Sequence, residues 1–551
     1  MRFRNAASSI FFFAIFLSNT SAFAQAAPHL EQRGVTKQLI VNGQPFLMLA
    51  GELHNSSSSN LNYAKPLWPR LAGMGLNTVL TPISWELVEP TEGKYDFALV
   101  DGLIAQAREQ HMHIVFLWLA SWKNGMSGYA PVWVKQDTAR FPRVVENGNE
   151  VNILTPLSHA TRDADAAAFA AVMQHLRRVD GDRHTVLMMQ VENEVGVLGD
   201  TRDHSTAANH AFAAAVPAEL LQFLQAHKAS LDPEFLALWQ KNGEKMSGTW
   251  GQVFGDTSRA DEIFMAWYYG QYVNAVAAKG KAAYNLPMYV NTWLAGQHAT
   301  PGTYPSGGAQ PRVLDIWKAA GTSLDFYSPD LYAADFPGWC KRYHRAGNPL
   351  FIPETRGGAA GAANVFYAVG QQAALGFSPF GIDPVSVPQM TQNQGGLPTN
   401  GQSQAEPTLK RSYDALAQIW PLLQKAQAQG TVRGFLLDKS QPSIEFNLNG
   451  YVAHVRLDEI FGTHADKGFG LIMATGPHQF TGVGMGFRAY FTRRWPSQNH
   501  VGIASIDEGK FQNGQWMAGR RLNGDESDQG SAWRFDSQRV KIEKAELYSF
   551  K

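Results

Sequence analysis

The residue types that could do chemistry gather at the ends of two hydrophobic runs. Residues 185–191 (TVLMMQV) lead straight into Glu192, Asn193 and Glu194, and residues 348–353 (NPLFIP) lead into Glu354, with Arg356 two positions on. A buried strand that ends in carboxylates is costly unless they face a polar cavity or have partners. Two carboxylates facing each other can divide the work of breaking a glycosidic bond. One protonates the leaving oxygen, and the other lies across the anomeric carbon, where a separation of about 5–5.5 Å makes it a nucleophile and retains configuration. On this reading Glu354 must stay ionised, which a nearby Arg356 favours, and Glu194 must hold a proton, which burial and the neighbouring negative charge favour. Strict strand alternation puts Glu192 and Glu194 on one face and Asn193 on the other. A bulge or twist turns Asn193 and Glu194 inward together, and periodicity alone leaves open which glutamate is the acid.

These residues need elements to carry them, and the chain supplies an alternation of strands and helices. An Asn42-Gly43 turn between apolar runs predicts a hairpin over 38–46. The run 46–54 then reads as a buried strand ending at Glu52 and His54. Further strands are expected over 77–83, 113–119, 185–191, 286–293, 324–332, 349–354 and 376–382. Helical patterns fall at 67–74, 97–110, 163–178 and 261–278, with a long polar helical insertion near 200–260. Eight βα units over roughly residues 45–425, with polar residues at strand C-terminal ends, predict an α/β fold: a (β/α)8 TIM barrel with its site on that face. Past Gly430 the pattern changes to short strands at 432–437, 443–448, 451–457, 470–473, 486–492, 500–505 and 540–550. This predicts an all-β, sandwich-like domain over 431–551. The glycines at 482–486 (GVGMG) lack the spacing and following helix of a dinucleotide fingerprint and read as a tight β-turn region.

Composition bounds the partners. The chain has 551 residues, enough for two or more cores. Lysine plus arginine and aspartate plus glutamate both number 47, so no basic field exists to draw a nucleic acid or a polyanionic substrate. At the N-terminus, Arg2 and Arg4, the apolar run 10–17 and the small-x-small site Ala22-Phe23-Ala24 read as a signal peptide over 1–24. The apolar run is far shorter than the roughly 20 residues of a membrane span. The expectation is an exported protein, periplasmic or secreted, with no membrane partner and a mature barrel domain over 25–430. Cys340 is the only cysteine, so no intrachain disulfide can form, and it reads as structural. His111 and His113 enter a buried strand without an acidic partner, and no metal site is expected there or elsewhere.

Motifs add a resemblance. The motif QVENEVG, the upstream 81–103 (TPISWELVEPTEGKYDFALVDGL) and 351–358 (FIPETRGG) resemble glycoside hydrolase family 35, the β-galactosidases, over most of residues 35–425. The C-terminal β region looks like the one attached to a bacterial branch of that family. The resemblance implies Glu194 as acid/base, Glu354 as nucleophile and Asn193 as the ligand of the sugar 2-hydroxyl. Many members carry Ala-Glu-Trp after the third strand, whose glutamate holds a sugar hydroxyl, and a tyrosine before the tryptophan at position 85. This chain has Ala120-Ser121-Trp122 and Thr81-Pro82-Ile83-Ser84 instead.

Other strand-end residues complete the candidate list. Tyr332 is placed to hydrogen-bond the nucleophile. Trp293, Trp122 and Trp118 are read as sugar platforms or core, and Glu52 and His54 as substrate contacts or braces. Glu192 is expected to be a structural partner, and Glu89 a loop brace. The expected function is an exo-acting retaining β-galactosidase acting on terminal β-galactose of oligosaccharides or plant polysaccharide side chains. It would need no cofactor, and a homo-oligomer through an apolar face of the β region is left open. The alternatives are a retaining exo-β-glycosidase of another sugar, such as a β-glucosidase, and a carbohydrate-binding protein without turnover.

Overall fold

The computed structural model describes residues 26–296, 298–383, 402–460, 462–494 and 500–551. The signal-peptide reading at 1–24 lies outside the described residues. A closed parallel barrel is built from β1 (Met48–Glu52), β2 (Thr78–Ser84), β3 (His113–Lys123), β4 (Val186–Asn193), β5 (Met288–Trp293), β6 (Phe326–Leu331), β7 (Ile352–Thr355) and β8 (Gly376–Pro379). Each pairs with its neighbour in chain order, and β8 returns to β1. A barrel helix covers each strand connection: α1 (Leu67–Gly73), α2 (Ala98–Glu109), α3 (His159–Asp180), α4 (Ser258–Ala283), α5 (Leu314–Ala320), α6 (Phe336–Tyr343), α7 (Gly358–Gln372) and α8 (Gln402–Gln429). Shorter helices at Thr206–Ala213, Ala218–Ala226, Pro233–Lys241 and Trp250–Phe254 fill the connection between β4 and α4.

Alternation along each strand sorts its side chains. Leu80, Val115, Leu117, Leu187, Tyr289, Phe326 and Phe351 point inward and fill the barrel, joined by Leu39 and Val41. The last two come from the hairpin strand Thr36–Val41, whose turn holds Asn42 and Gly43 at φ 53° and 74°. Both residues tolerate the left-handed region that a tight hairpin needs. The hairpin thus packs against the barrel interior, and the polar strand ends are left to form the site. Cys340 is buried in α6.

Beyond α8 the described residues form two large antiparallel sheets and a two-stranded one, Glu459–Ile460 with Thr463–His464. One has the order β9 (Val432–Asp438), β12 (Lys467–Ala474), β13 (Gln479–Met485), β18 (Lys541–Phe550), β15 (His500–Gln512) and β16 (Gln515–Arg521). The other runs β10 (Ser443–Leu448), β11 (Tyr451–Leu457), β14 (Phe487–Arg493) and β17 (Trp533–Phe535). Phe435, Phe480, Phe487, Trp533 and Phe535 share a core between them. The stretch 482–486 is not only a turn. Gly482 and Gly484 lie inside β13, and only Gly486, at φ 74°, makes the turn. A Cβ at Gly482 would stand 2.8 Å from the Trp533 and Phe535 rings, so glycine here makes room for aromatic packing. No helix among the described residues is long and apolar enough to cross a membrane.

Glu543 on β18 is buried in this region. Its Oε2 accepts from the Trp533 indole at 2.9 Å, and its Oε1 has no partner. Burial pushes the carboxyl up to about 8, against the lowering effects of Lys541 and the indole. A folded value above the unfolded one means stability is fully present below about 4.5 and is lost as pH rises towards 8. The Tm advantage of Glu543→Gln over the wild type should therefore widen between pH 5 and pH 9 in thermal melts, and a constant difference would refute this account.

Candidate active site

The end of β4 departs from strand alternation at two residues. Glu192 and Glu194 have φ of 63° and 45°, so the backbone turns left-handed on either side of Asn193. Such conformations cost a non-glycine residue about 1–3 kcal/mol each and persist only when the surroundings fix them. Here they are fixed. Glu192 swings under β3, where its two carboxylate oxygens accept the backbone N–H of Ser121 at 3.1 Å and of Trp122 at 2.8 Å. The Glu194 N–H donates to Asn291 Oδ1 at 3.0 Å, and the Glu194 carbonyl accepts from Gly125 N–H at 3.1 Å. Glu192 is thus a structural brace, and Glu194 projects into the carboxylate cluster at the strand ends.

That brace sits on a buried polar network. Asp165 of α3 accepts from the Trp118 indole at 2.9 Å, the Ser121 hydroxyl at 2.7 Å and the Tyr272 hydroxyl at 3.1 Å. Burial, and then the Asp165 carboxylate, hold Glu192 well above the usual carboxylate range. Ser121 therefore faces Asp165 and Tyr272 and presents no hydroxyl to a ligand. Trp122 is core and no sugar platform. Its ring packs edge-on against Tyr269 and Tyr272, its indole donates to the Leu154 carbonyl at 3.0 Å, and it is fully buried. Trp118 is likewise core, so neither offers a face to a sugar. Trp293, at the end of β5, is 37% exposed, so its indole is open to solvent.

Across the barrel, Glu354 pairs in register with Asp330 of β6. The Tyr332 hydroxyl donates to Glu354 Oε1 at 2.6 Å, and Oε2 has no partner. Arg356 is not beside the carboxylate as its sequence position implies. It hydrogen-bonds the Tyr332 carbonyl at 3.2 Å and lies over the Tyr332 ring, so it holds the tyrosine instead. One carboxylate oxygen from each of Glu194, Asp330 and Glu354 lies within 4.8 Å of the others. Asn291 joins them, donating to Asp330 Oδ2 at 2.7 Å. Glu52 at the end of β1 is buried with Oε1 unpartnered, and burial followed by the Glu354 charge keeps its carboxyl well above the usual range. His54 is anchored: its Nδ1 is 2.9 Å from Asp383 Oδ1, and its ring meets Phe380 edge-on. Glu89 braces its own loop, accepting from the Trp85 indole and Gly93 N–H.

Lys123, Asp330 and Asn291 were not singled out in the sequence. Lys123 ends β3, and Glu194, Glu354, Glu52 and Asp330 all act on its charge. Burial works against the ammonium, but these carboxyls raise it above its ordinary value. Three carboxylate oxygens in one place form a donor set for a hard cation. Lys123 already supplies a positive charge there, and the cluster carries no metal assignment. Asn291 and Asp330 could have been found by the rule that picked Glu194, since both are polar residues near the C-terminal ends of buried strands.

Asn193 is the remaining strand-end residue. It is 1% exposed, yet neither its Oδ1 nor its Nδ2 has a partner. A buried polar group left unpaired costs about 1–3 kcal/mol, so both atoms are set for a ligand with hydroxyl groups.

Burial and then the Glu354 charge push Glu194 up to about 7, against Lys123 and a hydrogen bond with Asp330, which lower it. Below that value the carboxyl can give a proton, and above it the same group can take one. Carboxyl-selective NMR titration of the wild type against Glu194→Gln should show one group titrating near 7. Lys123→Met should move that midpoint upward, and a midpoint unmoved or lowered would contradict the arrangement.

Comparisons with known proteins reach part of this site. A family model described as Beta-galactosidase, of glycoside hydrolase family 42, matches residues 68–258, which carry β2, β3, β4 and Glu194. A domain of unknown function matches residues 409–534. The beta-galactosidase of Xanthomonas manihotis is 28% identical over 205 residues, 36% of this chain and 31% of that one. Beta-galactosidase 14 of Arabidopsis thaliana is 28% identical over 120 residues, 19% of this chain and 13% of that one. The aligned region thus spans less than a third of either relative's length. Among solved structures, the beta-galactosidase of the psychrophilic Marinomonas ef1 matches with a TM-score of 0.45 at 13% identity, over 68% of this chain and 60% of that chain. The catalytic domain of beta-amylase from Paenibacillus polymyxa matches with a TM-score of 0.43 at 14% identity, over 66% of this chain and 97% of that chain. The class that the family match and curated relatives support is a glycoside hydrolase built on a β-galactosidase-like TIM barrel. The finer resemblance to family 35 is not what the family match returns, since that match is to family 42.

Proposed function

We propose that the protein is an exo-acting retaining β-galactosidase that releases terminal β-galactose from oligosaccharides or plant polysaccharide side chains. The observation that carries this reading is the approach of the Glu194 and Glu354 carboxylate oxygens to within 4.8 Å. This fits the roughly 5–5.5 Å of a retaining pair and is shorter than the roughly 6.5–9.5 Å that leaves room for a water in an inverting one. Glu354 Oε2 attacks the anomeric carbon while Tyr332 holds Oε1. Glu194 protonates the leaving oxygen, then takes a proton from the water that releases the sugar. Asn193 binds the 2-hydroxyl, and Trp293 offers a face to the ring. The two carboxylates need no cofactor for these steps. Glu194 and Glu354 are only 6% and 8% exposed, which suits a site that closes around one terminal sugar. The family 35 resemblance of the motifs supports the galactose preference, and the residues at 1–24 support export to the periplasm or beyond.

A second reading keeps the mechanism and changes the sugar. It is favoured by Lys123, an ammonium standing at the carboxylate cluster, and by Ser121, which has no access to it.

Initial rates on aryl β-galactoside, β-glucoside, β-xyloside and β-mannoside separate the two. A lead of tenfold or more for the β-galactoside, about 1.4 kcal/mol of transition-state preference, supports the first reading, and a lead by another β-sugar supports the second. Glu354→Ala should lose roughly a thousandfold in kcat, about 4 kcal/mol, and azide should restore turnover to give the α-glycosyl azide. No turnover of any substrate by the wild type would overturn the proposal and leave a carbohydrate-binding protein, and a Glu354→Ala variant that keeps its rate would overturn Glu354 as the nucleophile and with it the retaining mechanism proposed here.

A further inference from the structure

Outside the carboxylate cluster, a cleft of about 880 Å³ among the described residues has no assigned role. That volume lies within the roughly 300–1,000 Å³ usual for small-ligand sites. Its lining includes Ala295, two residues past Trp293, and Ala333, the residue after Tyr332. The cleft therefore starts at the rim of the bowl, on the wall between β5 and β6. Trp339 and Arg342 of α6 line it, together with Glu234 of the insertion helix Pro233–Lys241 and Arg259 of α4.

The lining chemistry is specific. Trp339 is half-buried, and the Arg342 guanidinium lies 4.8 Å from its ring centroid. Glu234 bridges both arginines, to Arg259 at 3.4 Å and to Arg342 at 3.6 Å. Arg312, behind them, is held by buried Glu262 at 2.8 Å. With Asp335 in the lining and Glu262 behind Arg312, three arginines meet three carboxylates, so the charged groups around the cleft carry no net charge to capture an ion. It offers fixed donors and acceptors around an indole, a combination that suits vicinal hydroxyls and the apolar face of a neutral sugar.

We propose that this cleft binds the leaving-group side of the substrate, a neutral oligosaccharide chain of two or more sugars. The inference rests on the glycosidase reading above. Glu194, which meets the leaving oxygen, ends β4 next to β5, so the rest of the chain departs on this wall. The closed bowl accounts for the terminal sugar, and the cleft accounts for what that sugar is attached to. Trp339 and Arg342 would then set preference for chain length.

The test compares kcat/KM of the full chain on β-1,4-galactotetraose, galactobiose and an aryl β-galactoside. The tetraose should lead the biose, and Trp339→Ala should cut the tetraose-to-aryl ratio at least tenfold, or about 1.4 kcal/mol. Arg342→Gln, a change at a partly exposed side chain, should lower the same ratio and decides the matter if Trp339→Ala does not fold. Calorimetric binding of galactotetraose to Glu354→Gln, with and without Arg342→Gln, reads the cleft without turnover and should show at least tenfold weaker binding in the double variant. Unchanged ratios in the folded variants, or unchanged binding, would overturn the proposal. Failure of the wild type to cleave any aryl glycoside, with the binding difference intact, would overturn the catalytic reading alone.

Discussion

Crowding of acids in a place largely shut off from water is the constraint on which the rest of the site depends. Glu52, Glu194, Asp330 and Glu354 converge at the strand ends with a single ammonium, Lys123, among them. Like charges at this distance and burial cannot all be ionised, so the cluster must hold protons. Burial, followed by the Glu354 charge, keeps Asp330 and Glu52 well above the usual carboxylate range. Glu194 is pushed up to about 7, with Lys123 and a hydrogen bond with Asp330 opposing the same two effects. Different surroundings applied to the same functional group thus separate acids that hold their protons from one able to exchange a proton near neutrality. The barrel makes this affordable by fixing every member of the cluster through its strand.

Much of this was legible in the sequence, and the reason is periodicity. Eight buried runs, each ending in polar residues, are hard to satisfy except with a closed parallel barrel, and the strand-end rule led to Glu194 and Glu354. The rule failed where backbone conformation left the period. Nothing in the letters of residues 192–194 states that two glutamates adopt left-handed φ, which is what separates the brace, Glu192, from Glu194. Trp122 misled for a related reason. An indole after a strand end can face the bowl or the helix layer, and which it does depends on Tyr269 and Tyr272 of α4, about 150 residues away in the chain. Lys123 was hidden by a register shift between Trp118 and Lys123, where β3 pairs with β4.

The β region was read as strands, with β13, β16 and β17 missed. Glycines at 482, 484 and 486 mask β13, because a glycine run carries no hydrophobic pattern. The structure gives their reason as space: Trp533 and Phe535 stand over Gly482, and the Phe469 carbonyl lies against Gly484. Packing demands of this kind act between elements distant in sequence, and a local pattern does not record them.

The helix that follows the nucleophile strand has a second attachment. α7 begins four residues after Glu354, and its Gly370 lies against Gly434 of β9 and Leu471 of β12 so closely that a Cβ there would stand 3.1 Å from the Gly434 Cα and 2.9 Å from the Leu471 Cβ. Leu471, Met473, Val483 and Ile542 from the β sheets belong to the same continuous core as the barrel helices. A module on a tether can range over a polymer and carry its enzyme along. A sheet welded to the helix behind the nucleophile is instead part of the chassis, and any ligand held on its outer face would be presented to the barrel at one fixed distance and angle.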